Sequence, residues 1–151
     1  MVRRYIELLL ATTNARLPMI ARCVAGVVFV SFSFGKFLNH SAEAASFEGY
    51  GIPAPNALTY AVGGIELAGG LLLILGLATR LAALALAGDM IGAISTAGRI
   101  EGGPIHLGLA PALLVAMLFL LWAGAGAWSR DALVLRKLAA EPAAGAPTSA
   151  G

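Results

Sequence analysis

Charge is scarce in this sequence. Only 12% of its 151 residues are Asp, Glu, Lys or Arg, against 59% that are hydrophobic. A soluble domain carries about a quarter charged residues, and half that amount cannot cover the surface of a water-soluble globule. The shortage excludes a soluble enzyme, a disordered chain and a coiled coil, and leaves a small integral membrane protein. Cysteine is nearly missing as well. The lone Cys23 can form neither an intrachain disulfide nor a Cys-x-x-Cys redox pair. The two histidines, His40 and His106, lack metal-ligand spacing, so no metal site is expected. Gly-x-Gly-x-x-Gly, phosphate-loop, His-Glu-x-x-His and Gly-x-Ser-x-Gly motifs are all absent. Redox chemistry would need a borrowed cofactor or a larger complex. The ten basic residues are scattered at the ends of apolar runs, with no patch and no aromatic interleaving. They read as membrane anchors: the expected partner is the lipid bilayer, and nucleic acid is not a partner.

Long apolar runs are abundant. A spanning helix needs roughly 20 mostly apolar residues. Four stretches qualify, at about 17–38, 57–77, 81–98 and 105–127. Only Ala78, Thr79 and Arg80 separate the second from the third, which makes them an antiparallel hairpin. The expected fold is all-α: a membrane-spanning antiparallel four-helix bundle over 17–135, with an outer loop at 39–56. Residues 1–16 read as an amphipathic surface helix or a frayed segment; Glu7 interrupts the apolar run and no Ala-x-Ala-like site follows, against a secretory leader. Residues 136–151 read as a disordered cytoplasmic tail. Arg3, Arg4, Arg16, Arg80, Arg130, Arg136 and Lys137 flank one side of the spans, and Lys36 and Arg99 the other. That asymmetry puts both termini in the cytoplasm. The outer loop holds a short helix with Ser41 as its N-cap. Its Phe47, Tyr50, Ile52, Pro53 and Pro55 are too apolar for a free loop, so it is expected to pack over the bundle.

Ionisable groups inside a span are functional-site candidates by default. Arg22, Glu66 and Asp89 stand out, each on a helical face of small or polar residues: Ala25, Gly26, Phe29 and Ser33; Thr59, Gly63, Gly69 and Gly70; Ala82, Ala85, Gly92 and Thr96. Small residues mark helix–helix interfaces, so all three charged groups should point inward and meet. One cation against two carboxylates leaves an excess negative charge, so the carboxyl pair is expected to share a proton. A purely structural ion cluster is an equal reading of these residues, and snorkelling to the interface is a rival for Arg22. Lys36 lies about 21 Å along the helix from Arg22, which reads as too far to join the cluster. Lys36, Arg80 and His106 are therefore accessory candidates. Phe29, Phe32, Phe34 and Phe37 could line a flat-ring pocket, although packing or lipid contact is the commoner role for such a run.

Taken together, Arg22, Gly35-Lys36-Phe37, Phe47 and Gly51-Ile-Pro-Ala-Pro55 resemble the DoxX family of small bacterial membrane proteins. So do Glu66-Leu-Ala-Gly-Gly70, Leu75-Gly76, Thr79-Arg80 and the closing Gly124-Ala-Gly-Ala-Trp-Ser-Arg-Asp131. The resemblance covers roughly residues 16–133. It implies a four-helix membrane bundle. It also implies association with oxidoreductase systems, such as a thiosulfate:quinone oxidoreductase or a complex joining a superoxide dismutase to a thiosulfate sulfurtransferase. Arg22, Lys36, Glu66, Gly69, Gly70 and Arg80 match the family pattern, whereas Asp89 rests on the argument from burial alone. The leading expectation is a membrane subunit of an oxidoreductase complex, with a quinone as candidate cofactor and soluble redox enzymes on the cytoplasmic face as candidate partners. The alternatives are a non-catalytic scaffold for soluble proteins and a small transporter or proton pathway. Four spans without a repeat would need a homo-oligomer for transport.

Overall fold

The structure, a computed structural model, describes residues 10, 11 and 15–140. The segment expected over 1–16 lies almost wholly outside the described residues, as does 141–151. Helix α1 spans Arg16–Leu38, with Pro18 in its first turn, where a backbone N–H has no helical partner to lose. Helix α2 is His40–Gly49 and α3 is Pro55–Leu75, with Pro55 at its first position. Helix α4, Thr79–Ser95, and the single turn α5, Ala97–Ile100, together make the third span. A π-helical segment, Ile105–Leu109, leads into α6, Ala110–Ala123, and α7 is Arg130–Ala140. Among the described residues, four helices are long and apolar enough to cross a membrane.

The spans close into a ring: α1 packs on α3, α3 on α4, α4 on α6, and α6 back on α1. Small residues set the spacing. A Cβ on Gly26 would fall 2.7 Å from the Gly70 carbonyl oxygen, so α1 and α3 touch backbone to backbone. Leu86 of α4 fills the space beside Gly69 in the same way. Phe29, Leu73, Leu86, Met117 and Leu120 form the core, whereas Val24, Leu84, Val115 and Leu118 face outward. An apolar exterior over a packed interior suits lipid as the solvent.

Several boundaries differ from those read in the sequence. The fourth span ends at Ala123, because Gly124 and Gly126 take positive φ and break the helix before Trp128. Helix α2 begins at His40, so Ser41 lies within it; the Asn39 carbonyl accepts from Ala42 and Glu43, and the chain passes from α1 into α2 almost without a break. Residues 136–140, expected in the tail, continue α7. Its start is fixed by the Ser129 hydroxyl, which accepts the Ala132 N–H at 3.2 Å. The connection after α1 packs along α3, with Ala44 buried and Phe47 half-buried.

Candidate functional site

Two polar assemblies lie at opposite ends of the bundle. The first surrounds Arg22, which is 3% exposed. Helix α3 ends in a left-handed glycine, Gly76, with the Gly76 N–H on the Leu73 oxygen and the Leu77 N–H on the Leu72 oxygen. Such an end still leaves carbonyls without partners and carries the negative pole of the helix dipole. Arg22 fills that need. Its Nη1 donates to Leu73 O at 2.8 Å and Ile74 O at 2.6 Å. Its Nε donates to Ala125 O at 2.9 Å and its Nη2 to Trp128 O at 2.9 Å. One planar cation thus ties α1, the end of α3 and the Gly124–Ser129 turn together. Gly76 must lack a side chain here, because a Cβ would fall 2.9 Å from the guanidinium carbon. Beside it, the buried Asp131 accepts from the Ala78 N–H at 2.7 Å and the Thr79 N–H at 3.0 Å, capping α4 from a different helix. Arg80 reaches across to the Trp122 oxygen at 3.1 Å, at this same end.

The second assembly centres on Lys36 and Glu66. Nζ of Lys36 donates to Oε1 of Glu66 at 3.0 Å and lies 2.8 Å from Oε2. Both side chains are largely buried, and Asp89 approaches the pair from α4, with its carboxyl group hydrogen-bonded to that of Glu66. A cleft of about 410 Å³ beside them is lined by Lys36, Phe47, Ile65, Glu66, Asp89 and Gly92. A smaller cavity of about 90 Å³, which also borders Lys36 and Glu66, is walled by Phe29, Phe32, Met90 and His106. Tyr50, at the end of α2, donates its hydroxyl to the Glu101 carboxylate. Partial burial and that bond push the Tyr50 hydroxyl up to about 12. The His106 ring packs edge-on to Tyr50, and His40 stacks on Tyr60 with centroids 3.8 Å apart.

The expected Arg22–Glu66–Asp89 cluster is therefore not what the fold builds: Glu66 and Asp89 come together, Arg22 is elsewhere, and Lys36 takes its place. The reason lies in side-chain direction. Helical side chains lean toward their own N-terminus. Arg22 leans away from the bundle centre, onto the end of α3, whereas Lys36 leans inward. Glu66, on the antiparallel α3, leans toward Lys36. The Cβ of Lys36 sits level with Gly63, 3.1 Å from where a Cβ there would be. Glu66 is only three residues deeper, about 4.5 Å along the axis, within the reach of two long side chains. The 21 Å that excluded Lys36 was measured from Arg22, which is not part of the site. His106 joins the wall of the smaller cavity, and Arg80 belongs to the other end. On α4 the buried face is Ala82, Ala83, Leu86, Ala87 and Met90, so Asp89 sits at its edge. Alanine on every side of that helix hides its orientation from the sequence. Asp131 escaped notice as a structural residue because its partners lie more than fifty positions away.

A four-helix membrane protein with an ion pair buried beside a lateral cleft is the class these features define. The DoxX family model matches residues 17–99, more than half of the chain, and the protein belongs to the DoxX family. It is 36% identical over 124 residues, 73% of this chain and 76% of the relative, to "Uncharacterized membrane protein Rv3486" of Mycobacterium tuberculosis. It is 33% identical over 78 residues, 52% of this chain and 57% of the relative, to "Putative oxidoreductase CatD" of Bacillus subtilis. No solved structure matches the chain.

Proposed function

We propose that the protein is a membrane subunit of an oxidoreductase complex and that Lys36, Glu66 and Asp89 form a quinone-binding site. The observation that carries this reading is one ammonium and two carboxyl groups converging beside a cleft of about 410 Å³. Ile65, Gly88 and Gly92 of its lining lie on the exposed, lipid-facing side, so a lipid-soluble ligand can enter sideways. The residues suit a quinone head group. Lys36 has three N–H donors and can keep Glu66 while donating to a carbonyl oxygen. Asp89 lines the same cleft, Phe47 offers a ring face, and the carboxyl pair that Asp89 forms with Glu66 can hold or release a proton there. A quinone takes up electrons together with protons, and these residues supply the proton side. The name of the Bacillus subtilis relative supports the redox assignment.

The test is purification in mild detergent followed by extraction of bound lipids. Near-stoichiometric quinone is expected from the native chain and from Arg80→Gln, and loss of it from Lys36→Met. Soluble proteins that co-purify without any quinone would overturn the reading and favour a scaffold, to which the exposed Arg16, Arg130, Arg136 and Lys137 lend support. The proposal places the protein in the bacterial inner membrane with both termini cytoplasmic, as the basic flanks indicate. Reporter fusions at Gly151 and within 39–56 check this, and an extracytoplasmic signal from Gly151 would reverse it.

A further inference from the structure

Among the described residues, helix α7 leaves its apolar and cationic side largely uncovered. Its first turn is pinned to the α3–α4 hairpin, where the Asp131 N–H donates to Gly76 O at 2.9 Å and the Asp131 carboxylate caps α4. That hairpin marks the membrane boundary, since α3 ends at Leu75 and α4 starts at Thr79. The pinning has an electrostatic consequence. Asp131 is the acidic residue of α7, and it is 1% exposed. Arg130, Arg136 and Lys137 stay exposed, so the free surface of the helix is purely cationic. Leu133 among them is 57% exposed, and Trp128 just before the helix is 90% exposed. A groove of about 580 Å³ runs between this helix and the end of α3. Arg130 and Arg136 line it together with Trp128, Leu133, Ile74 and Leu75.

We propose that this groove binds an anionic phospholipid. The head-group phosphate lies between Arg130 and Arg136, and an acyl chain lies along Ile74, Leu75 and Leu133. Charge complementarity selects the occupant: two guanidinium groups match a phosphate, and no acidic side chain lines the groove to repel it. Depth selects a lipid over a soluble anion, because the apolar wall continues from the end of a membrane span. Trp128 stands at the level where indole rings favour the interface. The site is independent of the Lys36–Glu66 assembly and of which face of the membrane it occupies.

The probe is Trp128 fluorescence in the full chain carrying Trp122→Phe, reconstituted with brominated phosphatidylglycerol or brominated phosphatidylcholine. Brominated phosphatidylglycerol is expected to quench at lower mole fraction. The double variant Arg130→Gln/Arg136→Gln should lower that preference about 25-fold, since each basic residue near an anionic surface contributes roughly fivefold. Both arginines are exposed, so the variant is expected to unfold at the same temperature as its parent. Equal quenching by the two lipids would overturn the proposal. Inorganic phosphate abolishing the preference, while Leu133→Ser leaves it intact, would assign the groove to a free anion. Dissociation of a dimer by the arginine variant would assign it to a second copy of the chain.

Discussion

Replacing Arg22 with methionine keeps most of the side-chain volume and removes every donor. Three carbonyls, those of Ile74, Ala125 and Trp128, then lose their guanidinium partner, whereas Leu73 O keeps the Gly76 N–H. A buried acceptor left without a partner costs about 1–3 kcal/mol. Three of them give about 3–6 kcal/mol after allowance for water reaching the membrane end. Unfolding by heat or by a denaturing detergent in mild micelles measures the loss. Arg22→Lys retains charge but presents three donors from a single nitrogen, and should recover only part of the stability. The decisive measurement is a pair of double-mutant cycles. Glu66 is eight residues from Ile74, about 12 Å along α3, so Arg22→Met and Glu66→Gln should add to within about 0.5 kcal/mol. Lys36→Met and Glu66→Gln share an ion pair and should depart from additivity by about 1–3 kcal/mol, the double variant being milder than the sum. Strong coupling between Arg22 and Glu66, with none between Lys36 and Glu66, would refute the side-chain geometry described here.

Asp131→Ala removes both acceptors that cap α4 and should lose about 2–4 kcal/mol, with Asp131→Asn retaining roughly half of the contribution, read from the same unfolding curves. Gly26→Ala forces α1 and α3 apart and should cost about 1–3 kcal/mol, whereas Gly64→Ala meets open space and should change stability by less than about 1 kcal/mol, in the favourable direction. The Tyr50 hydroxyl, normally near 10 and raised to about 12, keeps its proton longer in the folded chain. Its bond to Glu101 therefore stabilises the protein fully below about pH 10 and ceases to do so as pH rises through about 12. Ultraviolet difference titration should show a late-ionising tyrosine that Tyr50→Phe abolishes, and early ionisation of all tyrosines would contradict the contact.

Span number, the tight hairpin read at 78–80 and the small-residue faces of α1 and α3 were all legible in the sequence. These depend on local quantities: about 20 apolar residues per crossing, glycine at helical spacing, and too little charge for water. Arg22, Glu66 and Asp89 were likewise visible as expensive groups that must have partners. Which partner each finds was decided only by the tertiary structure. Helix direction sends Arg22 outward onto carbonyls and Lys36 inward onto Glu66, and depth counted along one helix cannot reveal a lean that reverses on its antiparallel neighbour. Asp131 makes the same point. The carboxylate lies in the first turn of its own helix, yet it caps another one. The sequence specifies a burial cost at each charged position. Because a membrane interior offers no water to offset that cost, the fold must place a donor or acceptor within a few ångströms, and only the packing of four helices determines which one.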